Sequence, residues 1–265
     1  MSEPKVGREI KMCCATFYES DIARMLLGES FHPGGMALTQ HLGEIMNLGP
    51  DDHLLDVACG RGLSALHLAQ HLGCCVTGID YGAENLEAAR LGADDKGLVQ
   101  RATFRQGDAE QLPFAPETFS AVISECSFCT FPDKATAARE MVRVLRPGGR
   151  LGLTDMTVTG TLPADLQNLL SWVACVAGAG APAEYVAVLE AAGFGAFYVE
   201  DQRDALLEMV GHVRRKLIGV ELALKLGKLD LADLDIDEAK NLARRAIELI
   251  EAGTVGYTLI TAVKG

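Results

Sequence analysis

The sequence predicts an α/β fold in which a mostly parallel β-sheet carries helices on both faces. Between residues 51 and about 200, short apolar runs typical of strands alternate with helical patterns. The chain has 265 residues, of which 49% are hydrophobic and 23% are charged. These values are typical of a globular protein with one large domain, or one domain and an appendage.

The elements are predicted in chain order from this alternation and from glycine and proline stops. Strands are predicted at 53–58, 74–80, 102–108, 119–124, 150–156, about 194–202, and 254–265. Helices are predicted at 17–28, 36–47, 63–73, 83–93, 134–145 and about 182–192, with a charged helical pattern over 204–252. The segment 146–149, Arg-Pro-Gly-Gly, is expected to end the helix before it.

The same pattern divides the chain into four parts. Residues 1–50 form an N-terminal helical cap and residues 51–203 form the core that contains most of the sheet. Residues 204–253 form a helical insertion, and residues 254–265 return as the last strand of the core sheet.

Charge and cysteine content narrow the class of function. The formal net charge of −12 disfavours nucleic acid and strongly anionic substrates as partners. No apolar run approaches the roughly 20 residues that span a membrane, and the polar start lacks an apolar signal region. Eight cysteines without such a signal indicate reduced thiols in a cytoplasmic protein.

A ligand-binding turn is predicted after the first strand of the core. Asp56 ends this strand, and Gly60 and Gly62 follow in a turn that opens a helix. Glycine allows a close approach of backbone to ligand, and the free N–H groups of a helix start can face an anionic group. Asp80 ends the next strand, where an acid can accept both hydroxyls of a ribose. The dinucleotide fingerprint is not met, because Ala65 stands at its third glycine position.

With the later segments 107–114 and 143–151 in the same order, residues 50 to 200 resemble the class I S-adenosylmethionine-dependent methyltransferases. The resemblance implies a Rossmann-like, mostly parallel seven-stranded sheet, with the helical insertion before the last strand. It implies S-adenosylmethionine as the cofactor and a small molecule as the methyl acceptor. The residues expected to bind the cofactor are Asp56, Ala58, Gly60, Gly62, Asp80, Tyr81, Asp108, Ala109 and Ser124.

Two cysteines suggest the acceptor. Cys126 follows the strand 119–124, at the edge where open α/β sheets bind ligands, and Cys175 lies beyond the next strand. Their flanking segments are similar to those of the arsenite methyltransferases, and this resemblance implies that both thiols bind trivalent arsenic as substrate. Thiolates select soft centres of this kind. The arsenic lone pair can attack the methyl group directly, so no general base is required.

The other cysteines leave alternatives open. Three interpretations are open for Cys129: it binds arsenic as a third sulfur ligand, it pairs with Cys126, or it packs in the core. In the arsenite methyltransferases upstream cysteines bind the substrate or form a disulfide relay, which would require a thiol reductant. Cys13 and Cys14 are candidates for that role, but the sequence around them differs from that of the family. An equally good interpretation is that they are two incidental thiols in a mobile tail. Cysteines interpreted as packing are Cys59, Cys74 and Cys75.

The sequence therefore leaves three hypotheses about function open. The first is methylation of trivalent arsenic, and the second is methylation of a small organic carbon, oxygen or nitrogen acceptor with incidental cysteines. The third is a non-catalytic thiol site that binds zinc, although no second cysteine or histidine pair at zinc spacing is present. His32 is a candidate for the mouth of the cofactor pocket, and Trp172 and Phe128 are candidates for flanking the acceptor or for the core.

Overall fold

The structure is a computed structural model that describes residue 11 and residues 32–163, 175–176, 178–225 and 236–265. The predicted helix at 17–28 and three candidate residues, Cys13, Cys14 and Trp172, lie outside these ranges. The predicted helix at 36–47 is confirmed as α1, Gly35–Ile45.

Seven strands form one sheet. They are β1 His53–Val57, β2 Cys75–Asp80, β3 Ala102–Gln106, β4 Phe119–Glu125, β5 Leu145–Val158, β6 Phe194–Asp201 and β7 Val255–Lys264. Their order across the sheet is β3-β2-β1-β4-β5-β7-β6. The first five strands pair in parallel, and β7 is antiparallel to both β5 and β6. The predicted fold class is confirmed.

Six further helices in the described part of the chain connect the strands. They are α2 Leu63–His71, α3 Ala83–Asp95, α4 Lys134–Val144, α5 Pro182–Ala192, α6 Arg203–Lys225 and α7 Ile236–Glu251. The chain moves outward from β1 in one direction through β2 and β3, and in the other direction from β4 to β5. Because such crossovers are right-handed, α2 and α3 lie on the opposite face of the sheet from α4.

Most boundaries differ from the prediction by one or two residues, and the largest difference is at the start of the fifth strand. The fifth strand was predicted to begin at Arg150, but β5 begins at Leu145. Phe119 pairs with Leu145, and Ala121 then pairs with Arg150, so residues 146–149 form an irregularity within the strand. The segment follows the end of α4, as predicted. It is a bulge within β5 rather than a separate turn between the helix and the strand.

The centre of the sheet fixes where a ligand can bind. Leu54, Leu55 and Val57 of β1 are fully buried, and β1 lies between β2 and β4. The strand order reverses between β1 and β4, and this reversal opens a crevice at the carboxyl ends of the strands. The ends of β1, β2 and β4 therefore meet at one site.

The predicted helical insertion lies between β6 and β7 as α6 and α7. These helices pack on each other and enclose a small apolar cluster of Leu217, Ile236 and Ala243. The helix pair therefore has its own buried contacts beside the main core. The division of the chain into separate parts stays a prediction.

Candidate active site

The turn after β1 adopts the backbone that its glycines were expected to allow. Gly60 and Gly62 have φ of 51° and 72°, a left-handed region that favours glycine. A Cβ atom at Gly62 would lie 2.7 Å from the Phe104 ring, whereas one at Gly60 would meet no atom within 4 Å. Gly62 is thus required by packing, and Gly60 leaves open space beside the backbone.

Asp80 supports this turn from the end of β2. Its Oδ2 accepts a hydrogen bond from the Gly60 N–H at 2.8 Å, and its Oδ1 accepts one from the Gly82 N–H at 2.8 Å. The side chain is buried, yet it lines a cavity of about 180 Å³. The two backbone hydrogen bonds therefore hold the carboxylate in one orientation at the cavity wall.

Asp56 is a deeply buried acid of the cavity wall. Its Oδ2 has no hydrogen-bond partner among the residues that the structure describes, although the residue lines the cavity. Burial raises its pKa well above the ordinary value, and the nearby Glu125 and Asp80 carboxyls raise it further. A buried acceptor without a partner is costly, so this oxygen is suited to receive a donor from a ligand.

The far rim of the cavity comes from the segment after β3 and from Lys11. Asp108 and Ala109 line the cavity, as does Tyr81. The Lys11 ammonium donates to both Asp108 oxygens at 3.1 and 2.9 Å and to Glu110 Oε2 at 2.9 Å. One residue of the predicted cap is therefore tied to the rim.

Ser124 and Gly62 do not line the cavity with the other expected cofactor residues. The Ser124 hydroxyl donates to the Val57 carbonyl at 3.0 Å and lies 2.6 Å from the Ser127 hydroxyl. This buried hydroxyl links the ends of β1 and β4, and Ser127 lines the cavity in front of it. Ala58 lines the cavity with a φ of 61°, unusual for a residue with a side chain.

Three cysteines meet beside this cavity. Cys126 follows β4, Cys129 lies in a short 3₁₀ turn at Phe128–Thr130, and Cys175 comes from beyond β5. The thiols of Cys126 and Cys129 both hydrogen-bond with the Cys175 thiol, which also lies 3.5 Å from the Cys126 carbonyl. Cys126 lines the cavity, whereas Cys129 and Cys175 are buried behind it. The arrangement is a three-sulfur cluster that opens to the cavity at one thiol.

The surroundings of Cys126 and Cys129 favour the protonated thiol over the thiolate. Hydrogen bonding to Cys175 and burial raise the pKa of Cys126 well above its ordinary value. Burial is the larger cause for Cys129, whose pKa is raised as well. Among the described residues no group of three or more His, Cys, Asp or Glu has the arrangement that holds a metal ion. That finding gives no support to a zinc site in this part of the chain.

Two of the three cysteines have left-handed backbone conformations. Cys126 has a φ of 52° and Cys175 has a φ of 62°. Left-handed backbone is costly for a residue with a Cβ and concentrates at functional sites. The surrounding structure thus fixes both side chains in directions that ordinary strand or helix geometry would not give.

Asp155 lies behind the cluster and is fully buried in β5. Its carboxylate accepts the Cys129 N–H at 3.0 Å and the Met156 N–H at 2.7 Å, and it hydrogen-bonds with the Cys129 thiol. Burial, with the nearby Cys175, raises its pKa to about 7. An acid therefore holds the turn that carries Cys129.

Sequence reasoning missed Glu125 and Tyr257. The Glu125 carboxylate lines the cavity, accepts the Thr39 hydroxyl at 3.0 and 3.2 Å, and lies 3.8 Å from His32 Nε2. Like Asp56 and Asp80 it stands at the end of a strand, and that position is a signal that could have identified it. Tyr257 is fully buried in β7 among apolar residues, and nothing in its local sequence distinguishes it.

The structure also shows where the remaining candidate residues lie. His32 lines the cavity, where the sequence suggested that it would lie. Phe128 is fully buried and packs edge-on against Phe131 and Tyr185, as expected of a core residue. Cys74 packs in the interior as predicted, and Cys59 packs against the core while also lining the cavity. The interpretation of Cys75 as a packing residue was wrong, because its side chain is exposed at the start of β2.

Comparison with known proteins defines the class. A family model described as a methyltransferase domain matches residues 55–153. The chain is 31% identical to the 27-O-demethylrifamycin SV methyltransferase of Amycolatopsis mediterranei over 261 residues, which cover 92% of this chain and 93% of that protein. It is 35% identical to an arsenite methyltransferase of Halobacterium salinarum over 152 residues, which cover 56% of this chain and 39% of that protein.

The fold has matching solved structures. The phosphoethanolamine N-methyltransferase 2 of Haemonchus contortus, solved with S-adenosylhomocysteine, superimposes with a TM-score of 0.81 at 19% identity, over 96% of this chain and 60% of that one. The chain spans less than half the length of the arsenite methyltransferase and of a further methyltransferase relative. No helix in the described ranges is both long and apolar enough to cross a membrane.

The domain match and the full-length relative show that the chain belongs to the class I S-adenosylmethionine-dependent methyltransferases. Its cofactor is S-adenosylmethionine. The cavity fits this group, because the unpartnered Asp56 oxygen offers an acceptor to a cationic molecule and Gly60 leaves room beside the backbone.

Proposed function

We propose that this methyltransferase acts on trivalent arsenic, as arsenite or a methylarsenical, held by the thiols of Cys126 and Cys175. The observation that carries the proposal is the meeting of these two sulfurs, with Cys129, beside the cofactor cavity. Soft thiol sulfur is the donor that a thiophilic element selects. The partial likeness to an arsenite methyltransferase supports it over about half of the chain.

The proposal gives the cofactor-binding residues separate tasks. When bound, S-adenosylmethionine supplies an electrophilic methyl group. The Asp80 carboxylate, fixed by Gly60 and Gly82, accepts from the ribose hydroxyls, and the free Asp56 oxygen accepts from the ammonium of the methionine end. The expected roles of Tyr81, Ala109 and the other predicted residues belong to the same proposal.

The thiols exchange with the hydroxyl groups of arsenous acid. Each exchange breaks an S–H and an As–O bond, forms an As–S bond, and releases the hydroxyl with the thiol proton as water. Two or three sulfurs leave the arsenic lone pair free to attack the methyl group, so the protein contributes alignment and the exclusion of water. The six described cysteines are all free, and we include a reducing cytoplasm and a thiol reductant in the proposal.

Single substitutions of the cysteines test this function. Cys126→Ser and Cys175→Ser should each abolish arsenite methylation by the purified protein, because a hard oxygen binds a soft centre poorly. The double variant should be no worse than either single variant, since residues that act as a unit are not additive. Cys129→Ser should match them if it is a third ligand, and should have a smaller effect if it only packs.

The matched control is Cys75→Ser, which removes an exposed thiol at the start of β2, whereas the cluster lies beyond the carboxyl end of β4. It should retain full activity. Titration with S-adenosylmethionine should show unchanged affinity in all of these variants. Full methylation by Cys126→Ser or Cys175→Ser would contradict the arsenic proposal.

A second candidate is a small organic acceptor. It is favoured by the His32 and Glu125 side chains, which face each other at 3.8 Å in the cavity and could take a proton from a hydroxyl or amine. It is also favoured by the full-length likeness to a 27-O-demethylrifamycin SV methyltransferase. Methylation of a panel of small hydroxylated and amino compounds, with no turnover of arsenite, would select this candidate.

A further inference from the structure

Three acids lie at or near the carboxyl ends of neighbouring strands and share one face of the sheet. Asp56 of β1 pairs in register with Gly78 of β2 and with Ile123 of β4. Asp80 and Glu125 each lie two residues beyond those partners, toward the ends of their strands. Because side chains alternate along a strand with a period of two, the three carboxyl groups lie on the same side. All three residues line the cofactor cavity.

Hydroxyl groups from two other elements hold the Glu125 carboxylate in place. The Thr39 hydroxyl of α1 donates to its two oxygens at 3.2 and 3.0 Å. Thr154, its in-register neighbour on β5, donates to Oε1 at 3.4 Å, and the Tyr257 hydroxyl donates to Thr154 Oγ1 at 3.0 Å. An ionised carboxylate only accepts hydrogen bonds, and these donors match that form. Since the Glu125 side chain is 4% exposed, its charge is fixed in one position at the cavity wall.

The surroundings of Glu125 leave this charge facing the cavity. Among the residues that the structure describes, the basic side chain within ion-pair distance is His32, whose Nε2 lies 3.8 Å from Oε2. Lys11 and Arg61 also line the cavity, but Lys11 forms ion pairs with two acids of the far rim, and Arg61 belongs to the turn after β1. The wall at the ends of β1, β2 and β4 is therefore acidic and suits a ligand with positive charge there.

The proposed placement of the cofactor brings its charged sulfur to this wall. The ribose is assigned to Asp80 on β2 and the ammonium to Asp56 on β1, and β4 is the next strand in the sheet. In S-adenosylmethionine one sulfonium joins the ribose, the methionine chain and the methyl group. The methyl group faces the acceptor, and the proposed acceptor thiol, Cys126, directly follows Glu125. The sulfonium is therefore on the β4 side of the two anchored ends, where Glu125 is the acid of the wall.

We propose that Glu125 is a specificity-determining residue that makes the pocket favour the positively charged cofactor over its neutral product. This inference rests on the proposed function, which places the methyl acceptor beyond β4. The opposite charges of the carboxylate and the sulfonium attract each other in a site that is largely shielded from water.

Methyl transfer removes this attraction. The S–CH₃ bond breaks, its electron pair stays on the sulfur, and the sulfonium becomes the neutral thioether of S-adenosylhomocysteine. The product lacks the charge that Glu125 attracts, so fresh cofactor displaces it more readily. Because the attraction is already present before the transfer, Glu125 determines which form is bound and does not accelerate the chemical step.

Calorimetry with three ligands that differ at one position tests this selectivity in the full-length protein without any acceptor. S-adenosylmethionine has a methylsulfonium at this position, sinefungin has a carbon with a charged amino group, and S-adenosylhomocysteine has a neutral sulfur. Glu125→Gln keeps the shape of the side chain and removes its charge. It should weaken binding of the two cationic ligands by about tenfold or more, as for a close pair of opposite charges in a partly buried site, and change that of S-adenosylhomocysteine by less than about twofold.

Two further variants separate the charge from a general effect on the pocket. Glu125→Asp keeps the charge on a shorter side chain and should retain most of the preference for the cationic ligands. Glu44→Gln makes the same exchange at an exposed position of α1 that does not line the cavity. It should leave the affinities for all three ligands unchanged.

Equal losses for the three ligands in Glu125→Gln would overturn the proposal, because Glu125 would then only support the pocket. Unchanged binding of either cationic ligand would overturn it as well. Because no acceptor is present, the result is independent of the arsenic assay. Charge-selective binding without arsenite turnover would contradict the proposed function alone, and arsenite turnover without charge-selective binding would contradict the role of Glu125 alone.

Discussion

Asp155 shows how one buried acid makes stability depend on pH. Its pKa of about 7 in the folded protein lies above the ordinary 3.8, so the folded state holds a proton more tightly than the unfolded chain does. The stability from this group is full at low pH and is lost as the pH rises from about 4 to about 7. The slope reaches at most about 1.4 kcal/mol per pH unit.

Asp155→Asn should remove this slope. We expect the free energy of unfolding of the unaltered protein to fall more steeply between pH 5 and pH 7 than that of the variant, in urea titrations at each pH. The difference between the two proteins should stop changing above about pH 8. Parallel curves for the two proteins over the whole range would show that Asp155 does not titrate there.

A second prediction about a single residue concerns Asp80 and cofactor binding. Asp80→Ala removes the proposed acceptor of the ribose hydroxyls and the partner of the Gly60 and Gly82 N–H groups. S-adenosylmethionine binding measured by calorimetry should weaken by about 1.5–3 kcal/mol, typical of hydrogen bonds to a charged group. Asp94→Ala, on the exposed face of α3, is the control and should bind normally. An unchanged affinity in Asp80→Ala would contradict the proposed role.

At the scale of elements, Lys11 forms ion pairs with the segment that follows β3. Its ammonium pairs with Asp108 and Glu110 at 2.9 Å and is nearly buried. The ion pairs close one side of the cavity, because Lys11 and Asp108 both line it. Exchange of the cofactor should therefore require this contact to open.

Lys11→Met should make cofactor release faster. The variant keeps the length of the side chain but loses its charge, and we expect stopped-flow experiments to show dissociation of S-adenosylmethionine about fivefold faster, or ~1 kcal/mol. Raising the salt concentration should speed release from the unaltered protein and not from the variant. Lys96→Met, at an exposed position after α3, should behave as the unaltered protein does. An equal response of both variants to salt would contradict the role of Lys11.

At the scale of the whole molecule, the sequence predicted the sheet and the glycine turn well because both follow from local patterns. Alternating apolar runs identify buried strands, and Gly60 and Gly62 occupy left-handed backbone that few other residues tolerate. Asp56 and Asp80 were found because acids at strand ends are visible in the sequence.

Contacts between distant strands and the position of the third thiol could not be found in the same way. Thr154 and Tyr257 lie more than a hundred residues apart in the sequence, and the antiparallel pairing of β5 with β7 brings them together. Cys129 was left ambiguous because its direction depends on the turn held by Asp155. Such contacts are set by tertiary pairing, which local sequence does not encode.

The left-handed backbone at Cys126 and Cys175 implies a trade-off between stability and chemistry. Glycine would occupy either position without the penalty of roughly 1–2 kcal/mol that a side chain incurs there. Selection for backbone stability alone would therefore favour glycine at both positions. Because it has cysteine at both positions, the protein is less stable there than it would be with glycine. These are the two positions where the proposed chemistry needs sulfur.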